Sequence, residues 1–246
     1  IPKRTVITAS GANVNSSRGR YDRAEPLYRE ALEGQRRVLG ERHPETLATL
    51  KSLGSMLARA GRYADAEEVG RRALRGFGEA LGVDDPRTVA SLVDYAATLL
   101  LLRSPEAERY LRESCERCLA VLGPRDPLNA EAMNNLAIFL NRQGRLEEAE
   151  KAYRDGVRLC VAVYGEDHPS TLSVRVNLAR FISERVQRPW EAETLLRDAL
   201  KAWRGRSGDE RSITTANYLG ELLNLLCFSL RCTLYCFAGK LAGKIG

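Results

Sequence analysis

The sequence predicts an all-α fold: a right-handed superhelical solenoid of antiparallel helix pairs, repeating about every 42 residues. Three observations predict it. An Ala-Glu pair recurs at Ala24, Ala66, Ala107, Ala149 and Ala192, with steps of 42, 41, 42 and 43. An Arg follows each Ala by five: Arg29, Arg71, Arg112, Arg154 and Arg197. Gly40, Gly82, Gly123, Gly165 and Gly208 keep the same steps, as do Pro44, Pro86, Pro127 and Pro169. Independent columns that share one register, slips included, mark a repeat architecture.

Each element follows from local pattern. The first helix of a unit starts at the Pro, where a missing N–H costs nothing. It carries an apolar stripe at helical spacing, clearest in Leu50, Leu53, Leu57 and in Met133, Leu136, Leu140. Gly-Arg at 61–62 and 144–145 breaks it. The second helix carries Tyr63, Ala66, Val69, Ala73 in one unit and Leu146, Ala149, Tyr153, Val157 in another. It ends at a Gly able to take a left-handed cap. Gly54, Ala96, Ala137 and Ala179 on first helices match the small residues on second helices and let the pair cross closely. The expected organisation is residues 1–18 unstructured or truncated, then the array over 19–206. Within the array fall a half unit, 19–40, and full units 44–82, 86–123, 127–165 and 169–206. Residues 207–246 give a C-terminal helix and an apolar tail. The chain opens on Ile1 rather than Met, so a fragment or processed chain is expected.

Composition narrows the function classes. The net charge is +6, with 32 Arg against 6 Lys. The Arg is spread along the chain among nearly as many acids, which reads as solvated helix faces and not a nucleic-acid patch. Two His, His43 and His168, each precede Pro and read as turn and helix-start residues. With so few His there is little for a hydrolytic site, and no enzyme activity is expected. Cys115 aligns with Leu32 and Leu74, and Cys118 with Phe77 and Cys160. These are core columns, so buried, metal-free thiols are expected. No cofactor is expected.

The run Met133-Asn134-Asn135-Leu136-Ala137, then Gln143-Gly144-Arg145, Glu148-Ala149-Glu150, Tyr153-Arg154, Tyr164-Gly165, His168-Pro169 and Thr171, resembles the long tetratricopeptide repeat of kinesin light chains. Nephrocystin-3-like proteins use a similar unit. The resemblance covers residues 19–206. It implies a protein-interaction scaffold that receives peptide segments of partner or cargo proteins in a concave groove lined by first helices. It also implies a motor heavy chain as partner, held through a heptad segment upstream; residues 1–18 show no heptads. A cytoplasmic, cytoskeleton-associated protein is the corresponding expectation. The alternative is a regulatory array of a larger multidomain protein.

The family's second Asn matches Asn135 and Asn177, whose amides can hold a peptide backbone. Ser52 and Asp94 break that ladder in other units. The same helical phase offers Asn134, Asn141, Lys51, Arg59, Arg142 and Arg180 as further peptide-binding candidates, with Asp94, Glu131 and Glu184 as acids. The quartet Asn135, Arg142, Asn177 and Arg180 is the expected centre for an acidic-aromatic segment. A chaperone-type carboxylate clamp would need basic residues at Ala48/Ser52, Ala90/Asp94, Glu131/Asn135 or Ser173/Asn177, and none is there. The repeated Arg column is expected to pair with nearby Glu.

Residues 222–239 hold one charge, Arg231. A membrane anchor, a capping helix and an unrelated tail remain open readings. The span suits a bilayer, whereas a central Arg costs roughly 2.5–3.5 kcal/mol on insertion. A membrane partner is expected only if this tail inserts.

Overall fold

The computed structural model describes residues 2–203, with side chains from residue 10 onward. Among the described residues there are ten α-helices, two five-residue π-helical turns and no strand. The helices are α1 (Pro2–Ser17), α2 (Tyr21–Leu39), α3 (Pro44–Arg59), α4 (Tyr63–Leu81), α5 (Pro86–Leu102), α6 (Ala107–Arg117), α7 (Pro127–Arg142), α8 (Leu146–Tyr164), α9 (Pro169–Phe181) and α10 (Pro189–Trp203). The π turns, Cys118–Leu122 and Ile182–Val186, continue α6 and α9. The chain divides into two compact units, with the division after Phe139 in α7. The C-terminal helix and tail expected over 207–246 lie outside the described residues. Among the described residues, no helix is long and apolar enough to cross a membrane.

In the first unit each helix from α1 to α6 packs on the next. The helices of a pair come close at the small-residue column. A Cβ on Gly54 of α3 would meet the Gly70 amide and Val69 of α4 at 3.5 Å, and the Ala66 carbonyl at 3.7 Å. Ala66 is fully buried. Leu53, Met56 and Leu57 line the core on α3, and Val89, Val93 and Leu99 do so on α5. In the second unit, α9 packs between α8 and α10, around Leu172, Leu178, Ala192 and Leu196.

Within residues 1–18, where an unstructured or truncated segment was expected, Pro2–Ser17 form α1, which packs on α2. The reason is visible in its contact residues. Ala12 is fully buried and Ser16 nearly so, and Gly11 lies close to Leu27. Ala12 continues the small column of Gly54 and Ala96. The half unit at 19–40 is thus the second helix of a complete pair.

Two repeated devices set the boundaries. Before each Pro stands an acceptor for the first free N–H of the helix. His43 Nδ1 accepts from Glu45 N at 3.3 Å, and Asp85 Oδ1 from Arg87 N at 2.9 Å. Asp126 Oδ1 accepts from Leu128 N at 2.9 Å, and His168 Nδ1 from Ser170 N at 3.2 Å. Two residues past the Pro, a buried side chain donates back to the preceding Gly carbonyl. Thr46, Thr88, Asn129 and Thr171 reach Gly40, Gly82, Gly123 and Gly165 at 2.7–2.9 Å. Helix end and helix start are thereby tied together at every inter-repeat turn.

The Arg column pairs within its own helix. Arg29, Arg71, Arg112, Arg154 and Arg197 reach Glu25, Glu67, Glu108, Glu150 and Glu193 at 2.7–3.4 Å. Some of these Glu also take an Arg of the next pair: Arg62 Nη1 is 2.6 Å from Glu25, and Arg188 meets Glu150. Exposed pairs of this kind each contribute about 0–1 kcal/mol.

Candidate functional site

The candidate residues fall on the first helices, and the structure groups them in two sets. In the first unit Lys51 Nζ lies 3.0 Å from Asp94 Oδ2, joining α3 to α5. Ser55 Oγ donates to the same carboxylate at 3.1 Å. Glu131 follows on α7; burial and the Asp94 carboxylate push its carboxyl up, with Lys51 opposing them. The charge of Lys51 is therefore engaged within the chain. Arg59 is also engaged, with its guanidinium 5.9 Å from the centre of the Tyr21 ring. Asn134 and Asn135 are half-buried on α7.

The second unit collects Asn141 and Arg142, from the end of α7, and Arg180 and Glu184, from α9 and its π turn. They surround the phenol of Tyr153 on α8. The Tyr153 ring is buried and packs against Phe181 with centroids 5.2 Å apart. Burial raises its pKa, while Arg180, Arg142 and a hydrogen bond with Asn141 pull it back. Asn141 Oδ1 is buried and, among the described residues, has no hydrogen-bond donor. Asn177 is half-buried on α9. Of the expected quartet, Arg142 and Arg180 share the surroundings of Tyr153. Asn135 and Asn177 stand at matching register positions in different units.

Sequence reasoning placed Tyr153 only in the apolar stripe of a second helix. Its hydroxyl is the polar end of that stripe, and the signal for it was the choice of Tyr over Leu at a buried position.

Cys115, Cys118 and Cys160 are buried thiols. Burial pushes Cys115 up to about 11 and Cys118 to about 12. Among the described residues there is no group of three or more His, Cys, Asp or Glu placed to hold a metal ion.

The sequence profile of the tetratricopeptide repeat matches residues 12–79, 53–120 and 128–205. The chain belongs to the tetratricopeptide repeat family. Its fold is similar to that of a Podosopora anserina protein described as a kinesin light chain with nearly identical TPR-like repeats. The TM-score is 0.67 at 21% identity, covering 85% of this chain and 99% of that one. BtubC (BKLC) from P. vanneervenii gives 0.67 at 20% identity, covering 80% and 79%. MamA from Desulfovibrio magneticus gives 0.55 at 16% identity, covering 83% and 98%. At these identities the likeness concerns the fold, and the tetratricopeptide array is kinesin light chain-like in its architecture. No curated protein sequence matches the chain.

Proposed function

We propose that this tetratricopeptide array binds peptide segments of partner or cargo proteins along its first-helix face, as a cytoplasmic adaptor of the kinesin light chain type. One observation carries the reading: the orphaned Asn141 Oδ1, set beside Arg142, Arg180 and the Tyr153 hydroxyl. A buried acceptor without a donor costs about 1–3 kcal/mol. A rotation of the half-buried Asn141 side chain that brings this oxygen to a peptide N–H removes that cost. The two guanidinium groups beside it suit an acidic side chain of the same peptide. Asn177, on α9 of the same unit, extends the contact as an amide that can both donate and accept; Asn135 offers the same group at the matching register position of the first unit.

The test is a fluorescence-anisotropy titration with a labelled peptide of Trp flanked by Asp and Glu. Replacing Asn135 and Asn177 together by Ala should weaken binding roughly five- to hundredfold, the range for losing two hydrogen bonds. Replacing Asn141 by Ala should act in the same direction. Equal affinities for wild type and both variants would end the proposal.

A further inference from the structure

Second helices of this array are covered on two sides. α2 packs on α1 and on α3, and α4 packs on α3 and on α5. Gly70 makes the forward contact of α4: an added Cβ there would stand 3.3 Å from the Tyr95 ring of α5. Glu67, one turn earlier, accepts from the Tyr95 hydroxyl at 2.9 Å. In α10 the same two positions hold Leu196 and Glu193. Among the described residues α10 packs on α9 and its π turn, and it is the last element. The sequence continues for 43 residues, 204–246, and these carry one more copy of the first-helix pattern. The small column Gly54, Ala96, Ala137 and Ala179 advances by 42, 41 and 42, and a further 41 reaches Gly220. In that register the eight buried positions of α3, from Thr46 to Leu57, all meet apolar, small or hydroxyl side chains. Leu219 takes the place of Leu53, Leu222 that of Met56 and Leu223 that of Leu57. The polar Asn217 and Glu221 take the places of Lys51 and Ser55, which are half-buried.

We infer that the forward face of α10 is a docking surface for this chain's own residues 212–223, which pack there as a further first helix with Leu219 seated on Leu196. The seat suits the residue. Gly70 leaves room for the Tyr95 ring, whereas Leu196 fills that space and calls for the shorter Leu219. The register counted from Gly208 falls two residues later and fits worse. It sets Glu221 in the place of Leu53 and Leu222 in the place of Gly54, a buried carboxylate beside an overpacked crossing. With Gly220 in the small column, 28 residues separate it from Ala192, where each earlier unit has 30. Connections between helices absorb deletions of that size. Docking also divides the apolar run 222–239. Leu222 and Leu223 go to the array, and the 16 residues that remain, Arg231 among them, fall short of the roughly 20 that cross a bilayer. The forward end of the array is then closed by the chain itself and not offered to a membrane or a second copy.

Hydrogen exchange of the full chain, read by mass spectrometry, is the test. A helix as short as 212–223 is marginal by itself in water, so slow exchange there requires a surface to pack on. Amides 214–223 should exchange about a hundredfold or more slower than in an unstructured peptide. Leu219→Asp should abolish that protection and leave α3 and α5 protected. Tyr218→Asp should keep it, because Tyr218 falls in the half-buried column of Ser52 and Asp94, where an Asp already stands. Leu196→Ala, which empties the seat from the α10 side, should lower the protection of 214–223 by about tenfold or more while α8 and α9 stay protected. Hundredfold dilution should change nothing, and the chain should not float with vesicles of phosphatidylcholine and phosphatidylserine. Fast exchange of 214–223 in the wild type overturns the inference. So does protection that is lost in Tyr218→Asp, kept in Leu219→Asp or indifferent to Leu196→Ala. Protection that falls on dilution would make the occupant a second copy, and flotation would make it a bilayer; either result also overturns it.

Discussion

Lys51 Nζ and Asp94 Oδ2 lie 3.0 Å apart, although 43 positions separate the two residues in the chain. The bridge joins neighbouring first helices, and each side chain is 31% exposed. It also offsets the repulsion between Asp94 and Glu131. Lys51→Met should therefore destabilise the fold by about 0.5–1 kcal/mol near neutral pH. Glu131→Gln should shift stability the other way. Its carboxyl has a raised folded pKa, so the favourable, protonated form is present at low pH and is lost as pH rises through that value. The gain from Gln should appear at pH 7 and vanish near pH 4. Guanidinium unfolding of both variants at the two pH values checks the sign; a stabilising Lys51→Met at pH 7 would refute the pairing.

The first-to-second-helix turns hold stored strain. Gly61 and Gly144 take the left-handed conformation there, at φ 78° and 76°. Arg103 and Gln187 occupy the corresponding turns at φ 57° with side chains that disfavour it. Arg103→Gly and Gln187→Gly should each stabilise by about 0.5–1 kcal/mol, or a rise of about 1–4 °C in Tm. A calorimetric melt showing a fall in Tm for both would contradict the assignment.

How far the fold was legible depended on the kind of signal. The columns of Ala, Arg, Gly and Pro placed the repeated pairs because each marks a backbone event that recurs. The slips of 41 and 43 were also legible, but not their form. The short step falls in the turn where Arg103 replaces a Gly. The long step is taken up by the π turn Ile182–Val186, which absorbs one extra residue before α10. The helix α1 was missed because its contact residues are Gly11, Ala12 and Ser16, too small to register as an apolar stripe. At the candidate site, helical phase found Asn141, Arg142 and Arg180. It could not show that Lys51 answers Asp94, because that depends on a contact between helices.

The buried thiols give a chemical readout. With Cys115 at about 11 and Cys118 at about 12, the thiolate is scarce at pH 8. Iodoacetamide at that pH should leave Cys115, Cys118 and Cys160 unmodified in the folded chain and label all three in denaturant. Mass spectrometry of peptides after a timed exposure measures this. Rapid labelling of Cys118 in the native chain would show that the core around α6 is open.

Ala149 tests the packing itself. It is fully buried near the start of α8, in the column shared with Ala24, Ala66, Ala107 and Ala192, all of them at most 1% exposed. At Ala66 this column faces Gly54, where an added Cβ would already be in van der Waals contact with the α4 backbone, so such a crossing has room for about one methyl group. Three further methylene-sized groups have no cavity to enter. Ala149→Leu should therefore force the helices apart and cost roughly 1–3 kcal/mol. Ala149→Gly should cost about 1 kcal/mol, from helix propensity alone. The contrast matters more than either value, because loss of propensity cannot explain a Leu that is worse than Gly. Thermal unfolding of the two variants decides it: a Leu variant that melts with the wild type would show that the column is not sterically closed.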